Sequence, residues 1–168
     1  MTLGIALEAD EEWDSSKSLE PLIRKAVEAA IAESAFPDLA TSGRPVELSV
    51  RLTGDEQVRS LNAKWRRKDK PTNVLSFPMA EDYELRDENV ASRELLLGDV
   101  IVARGVCERE AQDKGVSVEQ HATHLIVHGT LHLLGYDHES DADAADMEAR
   151  EVRALERLGI ANPYEVTA

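Results

Sequence analysis

Alternation and helical spacing divide this chain into short segments. Residues 46–53, VELSVRLT, alternate apolar and polar side chains, the pattern of a half-buried strand. Residues 2–8, TLGIALE, alternate more loosely and predict a second strand. LLLGDVIVA at 95–103 is the strongest strand pattern in the chain. NVLSF at 73–77 lies between Pro71 and Pro78, and a strand fenced by prolines belongs at a sheet edge.

Helical spacing fills the intervals. Leu22, Ile23, Ala26, Val27, Ala30 and Ile31 predict a helix over residues 19–35, with Ser18 as its N-cap and Pro21 tolerated in the first turn. Val58, Leu61 and Trp65 predict a short helix over 55–65 that Pro71 stops, and 79–94 reads as an acidic, irregular, exposed loop. A helix over 106–114 ends at Gly115. Ser117 opens the next, with Gln120 as its capping-box partner, and that helix runs to Leu134 and stops at Gly135. A last helix spans 141–158, capped by Gly159. The sum is one α/β (α+β) domain over residues 1–168, a small, mostly four-stranded mixed sheet packed with several helices.

Composition narrows the class. With 42% hydrophobic residues among 168, the chain can build a core, and with only 4% aromatics that core is made of Leu, Val, Ile and Ala. No apolar run approaches the ~18 residues of a membrane span. The N-terminus lacks a secretory pattern, and one cysteine, Cys107, forms no internal disulfide, so a cytoplasmic setting is expected. The formal charge is −14, which argues against broad coating of nucleic acid. The charge is uneven, however. Residues 64–70, KWRRKDK, set five cations against Asp69, a local +4 that is either a solvated face or a phosphate contact.

The candidate chemistry is concentrated in one place. All five histidines, His121, His124, His128, His132 and His138, lie within eighteen consecutive positions. At about 100° per residue the first four fall in a stripe of roughly 80° on one helix, with apolar residues round most of the remaining circumference. His128 and His132 are related as i and i+4, so both imidazoles can converge on one ion. His138 joins them if Gly135 turns the chain back in a left-handed C-cap. Three neutral nitrogens suit Zn²⁺, and three ligands with a vacancy mark a catalytic site.

The spacing HGTLHLLGYDH is metzincin-like, but Gly129 stands where those proteases carry their Glu base, and the Met147 segment reads as helix. Peptide hydrolysis is disfavoured, with Asp137, Glu139 or His124 left as alternative bases. A glycine inside a helix costs about 1 kcal/mol relative to alanine, which predicts that something needs space beside the metal.

HGTLHLLGYDH, with DKPTNVLSFP at 69–78 and LGDVIVA at 97–103, resembles in order and spacing the YbeY family of bacterial zinc-dependent endoribonucleases, over residues 46–158. The resemblance implies one zinc ion held by His128, His132 and His138 and a single-strand-specific endoribonuclease activity. It also implies maturation of the 3′ end of small-subunit ribosomal RNA and a part in ribosome quality control. The family's functional arginine carries over to Arg66.

Zinc can activate water and polarise a phosphoryl oxygen, and a guanidinium meets phosphate through paired hydrogen bonds, the role expected of Arg66. Lys68 and Lys70 are expected to guide the RNA strand. His124 either contacts substrate, donates a proton or is a core residue, and Asp137 either orients a ligand imidazole or caps the turn. The expected partners are ribosomal RNA and the small ribosomal subunit or a protein associated with it, with no membrane. A zinc hydrolase of another substrate and an assembly factor with a structural zinc are the competing readings.

Overall fold

A computed structural model describes residues 3–10, 13, 16–41, 44–86 and 94–164 of the chain. Its four strands are β1 (Leu3–Ala9), β2 (Val46–Thr53), β3 (Val74–Pro78) and β4 (Leu95–Ala103), in the order β1-β2-β4-β3. β1 and β4 both run parallel to β2, while β3 is antiparallel to β4. Strand β4 is central and almost wholly buried, as its apolar run requires. β3 is the edge, and Pro78 pairs there with Gly98, where a missing backbone N–H costs nothing in the ladder. Gly98 has φ 133°, and a Cβ on it would come within 2.2 Å of the Phe77 carbonyl oxygen, so the close approach of β3 to β4 demands glycine.

The helices are α1 (Ser16–Ala32), α2 (Asp55–Arg66), α3 (Asp82–Arg86), α4 (Arg104–Lys114), α5 (Val118–Leu133) and α6 (Asp141–Arg157), with one 3₁₀ turn at Pro37–Ala40. Alternation along β3 and β4 assigns the two faces of the sheet. Val100 and Val102 join the main core with α1, α5 and α6. Leu75, Ile101 and Ala103 turn the other way and pack with Val58 of α2. Helix α5 is therefore pressed between α1 and the β3–β4 edge, and eleven of its sixteen residues are buried.

The Ser117–Gln120 capping box is present in both halves. Gly135 (φ 98°) closes α5 as expected, with its N–H donating to the His132 carbonyl at 3.0 Å and that of Tyr136 to the Leu131 carbonyl at 3.1 Å. Three expectations need correction. Helix α1 begins at Ser16, so Ser18 lies inside its first turn and is not the cap. Helix α4 begins two residues earlier than its apolar spacing suggests. The acidic loop contains α3, whose Leu85 is buried and whose Arg86 pairs with Asp82 at 2.8 Å; residues 87–93 of that loop lie outside the described residues.

Candidate metal centre and RNA cleft

The last turn of α5 and the Gly135 turn bring His128, His132 and His138 together. Nε2 of His128 lies 3.1 Å from Nε2 of His132 and 3.2 Å from Nε2 of His138. Tetrahedral zinc with Zn–N bonds of about 2.0–2.1 Å requires nitrogens about 3.3 Å apart, so the donor set fits that ion. Among the described residues these three form the one such ligand group, and neither His121 nor His124 belongs to it. His132 is held neutral: burial first, then the nearby His128 and His138, bring its pKa down to about 4. Its lone pair is therefore free of a proton at neutral pH.

The lone pair of His128 is aimed by a residue the sequence reading missed. Glu151 of α6 is 0% exposed, and His128 Nδ1–H donates to its Oε1 at 2.5 Å, which leaves Nε2 bare toward the cluster. Oε2 accepts from His124 Nε2 at 2.8 Å and from the Tyr164 hydroxyl. Burial alone would raise the Glu151 pKa, but the hydrogen bonds from His124, His128 and Tyr164 outweigh it and hold the carboxyl well below the usual carboxylate range. A sequence signal existed: Glu151 falls on the Met147–Ala154–Leu155 stripe of α6, where an amphipathic helix otherwise buries apolar residues.

The histidine stripe of α5 thus does two jobs along its length. His121 and His124 are buried, and they bond Glu110 (2.8 Å) and Glu151 rather than the cluster. They line a neighbouring cavity of about 320 Å³ that shares Asn73 and His128 with the cleft at the cluster. The cleft at the cluster measures about 460 Å³. The three ligand imidazoles, Asp137 and Glu139 line it together with Arg66, Asn73, Val74 and Ser76. The structure therefore brings Arg66 to the metal group and places His124 behind it. Lys68 and Lys70 are exposed on the turn after α2 and do not line the cleft. Asp137 Oδ1 accepts the Glu139 N–H at 3.2 Å, shaping the turn, while the carboxylate that bonds a ligand imidazole is that of Glu151.

Gly129 also has a different reason from the one expected. A Cβ there would lie 2.7 Å from Val100 Cγ1 and 3.0 Å from Ser76 Oγ, and Ser76 Oγ–H donates to the Gly129 carbonyl at 3.1 Å. The glycine makes room for the sheet, not for substrate at the metal. Any side chain at this position collides with Val100 and Ser76, so the helix cannot carry the protease's glutamate here without moving the sheet. Met147 is a buried residue of α6, as the helical reading of its segment requires.

Comparison with known proteins places this chain in a family. The family model described as Endoribonuclease YbeY matches residues 6–159. Endoribonuclease YbeY of Rhizorhabdus wittichii is 49% identical over 166 residues, covering 98% of each chain. That of Sphingopyxis alaskensis is 50% identical over 163 residues, covering 96% of this chain and 97% of the relative. The solution structure of TM1509 from Thermotoga maritima shares the fold, with a TM-score of 0.54 at 24% identity over 96% of this chain and 99% of that one. With a histidine cluster built on α5 and its closing turn, and near-complete coverage by relatives at about half identity, the chain belongs to the endoribonuclease YbeY family.

Proposed function

We infer that this chain is a zinc-dependent endoribonuclease that cuts single-stranded RNA in the cleft between the histidine cluster and Arg66. The observation that carries the reading is that three clustered imidazoles and one exposed arginine line a single cleft. A zinc ion held by His128, His132 and His138 would supply Lewis acidity and a water of lowered pKa. Arg66 donates paired N–H groups to the phosphodiester and offsets the charge that develops on its oxygens. Glu151 fixes His128 in the ligating tautomer, and His124 and Tyr164 hold Glu151 in place. Glu139 lines the cleft and is the carboxylate proposed to take a proton from the attacking oxygen.

The physiological substrate proposed is the precursor of small-subunit ribosomal RNA at its 3′ end, with a role in ribosome quality control. A chain of charge −14 is drawn poorly to bulk RNA, so a protein on or near the small subunit is proposed to bring it there. No helix of the described residues is long and apolar enough to cross a membrane, and a cytoplasmic setting is proposed.

The test pairs zinc content with cleavage of single-stranded ribosomal RNA for wild type, His128→Ala and Arg66→Ala. Loss of cleavage in both variants, with zinc lost only from His128→Ala, is the expected outcome. Zinc-loaded wild type that cuts nothing above a blank would replace the enzyme reading with that of an assembly factor.

A further inference from the structure

The chain has two tryptophans in opposite environments. Trp13 is 1% exposed and its Nε1–H donates to the Thr53 carbonyl at 2.9 Å. Trp65, the penultimate residue of α2, is 63% exposed. A single exposed apolar side chain needs no explanation by itself. This one has a particular setting. Its Cα is about 3.8 Å from that of Arg66, which lines the metal cleft. Lys64 Nζ sits 5.1 Å from its ring centroid. Arg67, two residues on and at φ 57°, turns the chain out of α2.

The surrounding charge is equally unusual. Arg66, Arg67, Lys68 and Lys70 make no ion pair among the described residues, in a chain whose 33 carboxylates outnumber its 19 Lys and Arg. The one acid in the segment, Asp69, is engaged by Arg59 at 2.9 Å. The turn is held as a unit, because Asn62 is buried and its Nδ2–H donates to the Lys70 carbonyl at 2.9 Å, while its backbone carbonyl accepts the Lys68 N–H at 3.2 Å. An exposed indole with Lys64 against its ring, in a segment of cations that form no ion pair among the described residues, matches a polyanion that carries flat π-faces. In a duplex those faces are stacked away; in a single strand they are available.

We propose that Trp65 is a stacking platform for a nucleobase of single-stranded RNA beside the cleft, with Lys64, Arg67, Lys68 and Lys70 holding the phosphates that flank that base. The inference rests on the endoribonuclease reading above and adds a base subsite to it. It also gives Lys68 and Lys70 a place outside the cleft proper. Stacking on an indole is tolerant of base identity, so the subsite selects for an unpaired strand rather than for a sequence.

The experiment reads tryptophan emission and steady-state cleavage on the zinc-loaded full chain, with a short single-stranded RNA, its duplex and inorganic polyphosphate as probes. Single-stranded RNA should quench the solvent-exposed indole of wild type, and Trp65→Phe, which retains only the buried Trp13, should show no such quenching. Trp65→Ala should raise KM for single-stranded RNA by about 5- to 150-fold, the range found for loss of one stacked base. It should do so with zinc content and melting temperature retained, and Trp65→Phe should recover most of the loss. Wild type that cleaves RNA while Trp65→Ala keeps the same KM and RNA leaves the emission unchanged overturns the stacking subsite alone. Polyphosphate or duplex that quenches as well as the single strand also overturns it, since charge then suffices. Wild type that neither binds nor cleaves RNA overturns both this inference and the reading beneath it.

Discussion

His128 of α5 and Glu151 of α6 are joined by a 2.5 Å hydrogen bond from Nδ1–H to Oε1, so the tautomer of a metal-ligating imidazole is set by a carboxylate on a different helix. The same carboxylate is 0% exposed and accepts from His124 and Tyr164 as well. Glu151→Gln keeps the shape but removes the charge, and its amide NH2 must face either the His128 donor or those of His124 and Tyr164. Zinc affinity is expected to fall by about 10- to 100-fold, the usual effect of losing such a partner. Competition with a chromogenic chelator measures it, and unchanged affinity would reduce Glu151 to a packing role.

Gly129 packs a helix backbone against Val100 of β4. Gly129→Ala gains about 1 kcal/mol of helix propensity. It also drives a methyl to within 2.7 Å of a stiff β-branched side chain. Overpacking of that kind costs about 1–3 kcal/mol, so net destabilisation of up to about 2 kcal/mol is expected in urea titrations. Val100→Ala in the same chain should relieve the crowding, and the double-mutant cycle should show coupling between the two sites.

Glu33, just past α1, accepts from Arg153 Nε at 3.0 Å and Arg157 Nε at 2.5 Å, tying α1 to α6. Burial would raise its pKa, but the hydrogen bonds from Arg157 and Arg153 bring it below the ordinary 4.5. A carboxylate with a depressed folded pKa stabilises above its unfolded value and loses that contribution as pH falls through the folded one. Glu33→Gln should therefore melt below wild type at neutral pH. The gap should close as the buffer is acidified below 4.5. A gap independent of pH would mean that the ion pairs contribute nothing.

Cys107 is fully buried, and burial pushes its thiol up to about 12. Iodoacetamide at mildly alkaline pH should leave the native chain unmodified and label it fully in urea, read by mass spectrometry. Rapid labelling of the native chain would show that α4 opens readily.

Much of this was legible in the chain because it is local. Two ligands one helical turn apart and a third beyond a glycine need only the period of α5 and the left-handed Gly135, and both are written in HGTLHLLGYDH. The edge position of β3 follows from its flanking prolines, and the buried run of β4 from its composition. What depends on a distant segment was not legible. Glu151 reaches His128 across 23 residues through the packing of α6 on α5, and in sequence it is one acid among 33 Asp and Glu. The neighbour of Gly129 is likewise a strand, not the metal, which no spacing along α5 can reveal.

The sequence by itself determined which side chains can ligate a metal, because helical period and turn chemistry are properties of adjacent residues. Only the tertiary structure decided how the histidine stripe divides. Glu110 meets its first half, Glu151 bonds both His124 and His128 where the halves join, and Arg66 and the β3 edge line the cleft at its second, since burial and charge partners arise from segments that the chain brings together by folding.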